Sequence, residues 1–187
     1  MSGIWRYLLA VALGVLLGVG LAVHSVRAGA FGSNVAIGPW RTGLDFGTAD
    51  ASARTRAVVA LRGLLALPAR EARYYTAATD DAGQLLDGRC RYRIAGGALP
   101  GKWWSLTVYD ADGYLVANPA NIFSVESAAV AEPRWQIVLA PARQPGHWLP
   151  TGGREHVELT LRTYLPPDAG RTNPPQAGLP SIVREGC

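Results

Sequence analysis

The most pronounced hydrophobic segment of the chain lies at its N-terminus. Residues 8–23 carry no charged or strongly polar side chain. Extending the run to residues 7–26 gives 20 residues, enough for a helix to cross a bilayer core of about 30 Å. Trp5 and Tyr7 at the start of the run suit the headgroup region. We therefore assign residues 1–28 to a transmembrane anchor.

Two features of this segment bear on whether it is cleaved and whether it pairs with a second copy. Val26-Arg27-Ala28 resembles the small-residue pattern before a cleavage site, so a signal peptide is the alternative to an anchor. Gly14 and Gly18 form a GxxxG pattern, which lets two membrane helices approach closely. This spacing points to a homodimer through Gly14 and Gly18.

A linker and a single helix follow. Residues 29–48 are Gly-rich and mixed, which predicts a linker with a short extended segment at Pro39-Trp40-Arg41. Residues 50–66 have one apolar stripe at helical spacing, with Asp50 or Ser52 as the N-cap and Pro68 as a stop signal. The stripe consists of Val58, Leu61, Leu64 and Leu65. A helix with one apolar stripe is expected to pack on a sheet.

The rest of the chain shows the two-residue alternation of β-strands. In residues 103–110, Trp104, Leu106 and Val108 alternate with less apolar positions, and residues 157–164 alternate in the same way. Turns rich in Gly, Pro and Asp separate the strands, and residues 166–180 form a Pro-rich coil. The pattern predicts a mainly β domain over residues 49–187, an antiparallel β-sandwich of jelly-roll type with one packed helix. Its other predicted strands are residues 71–78, 89–95, 114–116, 123–127 and 135–139.

Composition and charge narrow the class of protein. An apolar fraction of 49% with 17% charged residues excludes a disordered chain. Setting aside Arg6 and Arg27, which flank the apolar segment, leaves 16 basic against 14 acidic residues. This balance is unlike the clustered positive charge of a nucleic-acid-binding surface. We therefore expect no nucleic-acid partner.

The two cysteines bear on the cellular compartment. Cys90 lies in a predicted strand and Cys187 is the last residue, so a disulfide between them would fix the C-terminus in an oxidising compartment. Two unrelated buried thiols are the alternative. The charges of Arg6 and Arg27 lie on both sides of the span and scarcely discriminate its orientation. We therefore expect a single-pass protein of the inner (cytoplasmic) membrane with its domain in the periplasm.

Several ordered motifs resemble the bacterial "domain of unknown function 1214" family. The resemblance covers residues 70–187 and implies a β-sandwich of jelly-roll type and no agreed activity. The chain is similar to the short, membrane-anchored members, which lack the companion domain of longer members. His147 is a departure, because the family pattern leads us to expect Asn there. The motifs are Leu86-Asp87-Gly88, Leu99-Pro100, the run from Trp103-Trp104 to Asp112-Gly113, Asn118-Pro119 and Pro145-Gly146-His147-Trp148-Leu149-Pro150.

Arginines and aromatic residues form the predicted ligand-binding surface. Three arginines alternate with apolar residues in one strand and therefore share a face. If this strand pairs with the next one in a meander, aromatic rings lie beside those arginines. Rings with hydrogen-bond donors suit a sugar, and guanidinium groups suit a carboxylate or phosphate. The predicted set is Arg89, Arg91, Arg93, Trp103, Tyr109 and Trp148.

Two other constellations point to different chemistry. Asp110 and Asp112 bracket a turn and could act as a carboxylate pair of a hydrolase, although Asp-x-Asp-Gly is also ordinary turn chemistry. Asp80, Asp81 and Asp87 extend this acidic set. The spacing of His147, His156 and Glu158 is too loose to predict a metal site.

The functional prediction is accordingly a binding protein. We expect an uncharacterised membrane-anchored envelope protein that binds a glycan, a lipid headgroup or a protein partner without catalysis. It has no predicted catalytic residue, metal or cofactor. The alternative is an uncharacterised hydrolase acting on envelope polysaccharide.

Overall fold

An apolar helix precedes the domain. The computed structural model describes residues 3–28, 35–43, 45–61, 67–68, 70–130, 133–167 and 178–187. Helix α1 (Gly3–Ala28) contains the span Gly3–Ser25, which has a mean hydropathy of 2.2 and is not buried against the domain. Its length and composition are those of a membrane-spanning helix, and a signal sequence shares them. The predicted apolar helix is confirmed.

Within the described residues, ten strands form two sheets. One sheet has six strands in the order β1-β2-β3-β9-β5-β6, and the other has four in the order β10-β4-β7-β8. Every pairing is antiparallel except β7–β8, which is parallel and departs from the prediction. The mainly β fold is confirmed, and a jelly-roll connectivity stays a prediction. The strands are β1 (Val35–Ile37), β2 (Trp40–Thr42), β3 (Ala72–Ala77), β4 (Arg91–Gly96), β5 (Trp103–Asp110), β6 (Ser124–Glu126), β7 (Trp135–Ala140), β8 (Trp148–Pro150), β9 (Val157–Tyr164) and β10 (Ser181–Gly186).

The two sheets share one hydrophobic core. Leu106 and Leu161 of the six-stranded sheet are fully buried in the same cluster as Ile94 and Ile137 of the four-stranded sheet. Burial of an aliphatic side chain of this size stabilises the fold by about 1.5–3 kcal/mol. The apolar half of each alternating strand therefore faces inward. The opposite halves form two outer faces, on which polar and aromatic residues can meet a ligand.

Helix α2 (Ala53–Leu61) packs on the outer face of the six-stranded sheet. Ser52 caps it, since its Oγ accepts the Thr55 N–H at 3.0 Å. Val59 packs with Phe46 on Tyr74. The predicted helix is therefore present over 53–61, whereas Leu64 and Leu65 lie outside the described residues.

Four segments differ from the sequence prediction. Residues 114–116 form no strand, and Leu115 makes only an isolated bridge to Tyr109, because the chain reverses immediately after β5. Strands β8 and β10 were not predicted, since neither has an alternating pattern long enough to identify it. The hairpin β1–β2 lies within the predicted linker, and its Trp40 is buried and donates its indole N–H to the Pro180 carbonyl at 2.7 Å.

Candidate ligand-binding site

The predicted arginines lie in a different sheet from two of the three predicted aromatic residues. Arg91 and Arg93 belong to β4 in the four-stranded sheet, whereas Trp103 and Tyr109 belong to β5 in the six-stranded sheet. The expected pairing of these two strands is therefore wrong. The apolar sides of β4 and β5 both point into the shared core, so consecutive strands face each other across it instead of pairing.

The predicted arginines are largely neutralised by carboxylates. Arg91 and Arg93 both contact Glu185 of β10, with Nε–Oε distances of 3.2 and 3.0 Å. Arg89 contacts Asp87 at 2.6 Å. The hydrogen bonds from Arg89 are the main reason that the pKa of Asp87 falls from 3.8 to about 2. Each of these guanidinium groups therefore has a carboxylate partner at the surface.

Trp148 lies on the same outer face as Arg93. Val138 stands between them, because it pairs with Arg93 on one side and with Trp148 on the other. The indole N–H of Trp148 donates to the Ala140 carbonyl at 2.9 Å. This face of the four-stranded sheet thus retains one predicted aromatic residue beside the ion-paired arginines.

A different arginine meets the aromatic residues of β5. Arg162 of β9 donates one Nη to the Tyr109 hydroxyl at 2.8 Å and the other to Thr107 Oγ1 at 3.3 Å. Its guanidinium carbon lies 5.6 Å from the centre of the Tyr109 ring. The predicted combination of arginine and aromatic side chains exists, but Arg162 supplies the charge.

Aromatic side chains from three strands lie on the same face of the sheet as Arg162. In the sheet, Arg162 lies opposite Tyr74 of β3 and Ser105 of β5. Two residues further along β9, the Tyr164 ring lies 4.8 Å from the ring of Trp103. Burial raises the pKa of Tyr74, and the hydrogen bond from the Leu67 N–H and the charge of Arg162 oppose this shift.

The guanidinium of Arg162 is half-buried and makes no salt bridge within the described part of the chain. Glu158 lies on the same face of β9, opposite Tyr109, and no ion pair joins it to Arg162. The neighbouring positions Ser105, Thr107 and Thr160 carry small, buried side chains with hydroxyl groups. A cation surrounded by hydroxyl groups and rings can bind an anion by charge-assisted hydrogen bonds.

Sequence reasoning missed Arg162, although its strand was correctly predicted. The alternation of residues 157–164 already placed Arg162 on the face opposite to the buried leucines. The sequence did not show which strand pairs with β9. Arg162 and Tyr109 are 53 residues apart in sequence and meet only because β9 pairs with β5.

The acidic residues serve the turns that contain them. Asp80 Oδ1 accepts the N–H groups of Ala82 and Gln84, at 3.1 and 2.9 Å. Asp110 Oδ1 accepts from Asp112 and Tyr114 in the same way, at 3.1 and 2.9 Å. This matched geometry is that of an Asx turn and does not support a catalytic pair.

The three loosely spaced metal-ligand candidates do not converge. His147 immediately precedes β8 in the four-stranded sheet. His156 and Glu158 lie at the start of β9 in the other sheet.

The two cysteines lie at disulfide distance. The Sγ atoms of Cys90 and Cys187 are 2.05 Å apart and link residues that are 97 positions apart in sequence. Strand β10 ends one residue before Cys187 and pairs with β4, which begins one residue after Cys90. The disulfide therefore fixes the C-terminus to the four-stranded sheet.

These features define the class of the molecule as a mainly β protein of two packed sheets behind an N-terminal apolar helix. The family model "Protein of unknown function (DUF1214)" matches residues 71–168, and the chain belongs to this family. The resemblance of the sequence motifs to this family is thereby confirmed. No curated protein matches the sequence.

Two solved structures are similar to this chain. The VPA0106 protein from Vibrio parahaemolyticus aligns with a TM-score of 0.58 and 20% identity, over 98% of this chain and 46% of its own. A putative uncharacterized protein from Burkholderia cenocepacia aligns with a TM-score of 0.43 and 20% identity, over 61% of this chain and 29% of its own. The first likeness supports the fold alone, and this chain spans less than half the length of that protein.

Proposed function

We propose that this protein is a membrane-anchored binding module that recognises an acidic glycan on the outer face of its six-stranded sheet. An acidic sugar combines a ring, which stacks on aromatic side chains, with a carboxylate or phosphate, which a guanidinium binds. Arg162 supplies the guanidinium, and Trp103 and Tyr109 supply the rings. No catalytic step is part of this proposal.

The observation that carries the proposal is that Arg162 forms no salt bridge with any residue that the structure describes. Its two Nη atoms donate to the neutral hydroxyl groups of Tyr109 and Thr107, at 2.8 and 3.3 Å. A half-buried charge without a counter-ion is unfavourable, and an anionic ligand relieves that cost. A hydrogen bond to a charged group contributes about 1.5–3 kcal/mol to the free energy of the interaction.

The location of the protein is also part of the proposal. Helix α1 supports a single-pass anchor in the inner (cytoplasmic) membrane. The Cys90–Cys187 pair supports an oxidising compartment, which is the periplasm for a protein so anchored. A domain in this position meets envelope polysaccharide as well as lipid headgroups, which carry the same phosphate chemistry.

Binding to the full chain in zwitterionic lipid nanodiscs tests this function. Calorimetry is run with trigalacturonate as the acidic glycan, maltotriose as a neutral sugar of the same length, and inorganic phosphate. We expect trigalacturonate to bind and maltotriose not to bind. Arg162→Gln is expected to weaken binding by about tenfold or more, because it removes a charged donor. Arg162→Lys is expected to be intermediate, since it keeps the charge without the planar fork.

Arg143→Gln is the matched control, because Arg143 is exposed in the loop between β7 and β8 of the other sheet. It is expected to bind like the wild type. Equal binding of both trisaccharides, or unchanged affinity in Arg162→Gln, would overturn the proposal. Competition by anionic lipid in the nanodisc, without binding of trigalacturonate, would assign the site to a lipid headgroup instead.

A further inference from the structure

Leu115 lies beside the Arg162 site, at the edge of the six-stranded sheet. It forms an antiparallel bridge with Tyr109, the residue whose hydroxyl group accepts a hydrogen bond from Arg162. Residues directly opposite each other in such a bridge carry their side chains on the same face, with Cβ atoms about 4.5–5.5 Å apart. Strand β9 occupies one side of Tyr109, so Leu115 lies on the other side, in line with β6. Tyr109 is therefore flanked by a charged side chain and by an apolar one.

The turn that precedes Leu115 holds it in place. The Asp110 N–H donates to the Tyr114 carbonyl at 2.9 Å, and the Gly113 N–H donates to the Asp110 carbonyl at 3.0 Å. Gly113 has a φ of 85°, a conformation that glycine adopts without strain. On the other side of Leu115, Val116 is fully buried in the core. The position of Leu115 is thus set by the fold, so a ligand can contact it without first ordering a loop.

The Leu115 side chain offers an apolar surface next to hydrogen-bonding groups. Leu115 is 48% exposed, and Tyr109 beside it is half-buried. Ligand-binding sites typically combine apolar side chains with a few polar groups that fix the orientation of the ligand. A sugar ring matches this combination, because its C–H face is apolar and its edge carries oxygen atoms.

We propose that Leu115 is a further ligand-contact residue, which binds the sugar ring next to the acidic ring held by Arg162. This inference rests on the proposed function and adds the length of the ligand. The acidic group of one ring binds Arg162 while that ring lies on Tyr109, and the next ring packs its C–H face on Leu115. The site therefore takes at least two linked sugar rings.

The chain offers a matched control for Leu115. Leu85 follows the equivalent Asx turn at Asp80, forms the same kind of isolated bridge and is 59% exposed. Its turn lies against β10 of the other sheet, because the Asp81 N–H donates to the Ile182 carbonyl at 2.9 Å. A substitution at Leu85 therefore reproduces the local change without touching the Arg162 site.

Calorimetry with trigalacturonate and with galacturonate, its single-ring counterpart, tests the inference on the full chain in zwitterionic nanodiscs. Leu115→Ser is expected to weaken trigalacturonate binding by about three- to tenfold, the contribution of one or two CH₂ groups removed from water. The same variant is expected to bind galacturonate like the wild type, since one ring does not reach Leu115. Leu115→Met keeps the apolar contact and Leu85→Ser leaves the site intact, so both are expected to bind trigalacturonate like the wild type.

The outcomes separate this inference from the proposed function. Unchanged trigalacturonate affinity in Leu115→Ser, with loss of binding in Arg162→Gln, would overturn the role of Leu115 alone. An equal loss of affinity for galacturonate and trigalacturonate in Leu115→Ser would overturn the two-ring ligand. Binding of neither acidic sugar to the wild type would overturn the proposed function and this inference together.

Methyl NMR gives a readout of ligand contact in the wild-type chain. With leucine methyl groups labelled, trigalacturonate is expected to shift the Leu115 signals and to leave the Leu85 signals unchanged. Galacturonate is expected to shift neither. Equal shifts at Leu85 and Leu115 would contradict a specific contact at Leu115.

Discussion

The disulfide at the C-terminus makes a quantitative prediction about stability. Cys90 is only 2% exposed and immediately precedes β4, while Cys187 follows β10 at the edge of the four-stranded sheet. Strand β10 pairs along β4, with Val183 opposite Arg93. The bond therefore closes most of the domain into one covalent loop. Breaking the disulfide leaves the native contacts of β10 in place. Its main effect is to raise the conformational entropy of the unfolded chain.

The loop length sets the size of the effect. The two cysteines are 97 residues apart, and closing a loop of this length contributes about 4.7 kcal/mol in the chain-entropy treatment. In a domain of this size each kcal/mol shifts the Tm by about 2–4 °C. We therefore expect reduction to lower the Tm by about 9–19 °C.

Urea unfolding of the full chain in detergent micelles, followed by tryptophan fluorescence, measures the loss. The wild type is compared with and without reductant. The variant Cys90→Ala, Cys187→Ala is the control, because reductant should not change its unfolding. A difference in unfolding free energy below about 1 kcal/mol would refute the loop-closure reasoning, since that value is within the range of ordinary surface changes. The hydrogen bonds and packing of β10 would then account for its position.

Three further predictions concern packing, titration and the membrane helix. Gly96→Ala is expected to destabilise the fold by about 1–3 kcal/mol, since its Cβ meets the ring of Trp135. Gly97→Ala should be nearly neutral in the same unfolding assay, because its nearest contact is at 3.7 Å. The lowered pKa of Asp87 adds stability above pH 3.8 that is lost as the pH falls toward about 2. In Arg89→Gln, carboxyl NMR should show this pKa raised toward 3.8, since the side-chain hydrogen bonds are lost while the backbone N–H of residue 89 still donates to Asp87. An unchanged pKa would contradict the assignment to the Arg89 side chain. Gly14→Ile should reduce energy transfer between labelled chains in vesicles, because a bulky side chain prevents the close approach of two GxxxG faces. Gly20→Ile is the control, since Gly20 lies on another face of the helix. Equal energy transfer in the two variants would exclude pairing through the GxxxG face.

Local features of the fold could be predicted from the sequence. The apolar run gives α1, the two-residue alternation gives β5 and β9, and Ser52 marks the start of α2. Each of these elements depends on side chains that are close in sequence, so the local geometry of the chain is enough to predict the element. The pairing of Cys90 with Cys187 was also accessible, because the chain contains two cysteines. The short strands β8 and β10 were missed because their position depends on the strands beside them.

By itself, the sequence determined which residues of the long alternating strands β5 and β9 face the core and which face outward. Only the tertiary structure decided which outward residues meet. Arg93 and Tyr109 lie on consecutive strands, yet the core separates them, whereas Arg162 reaches Tyr109 across 53 residues. The physical reason is that alternation fixes the face of a strand through local geometry. The neighbours of that strand follow instead from the way two sheets bury their apolar faces against each other.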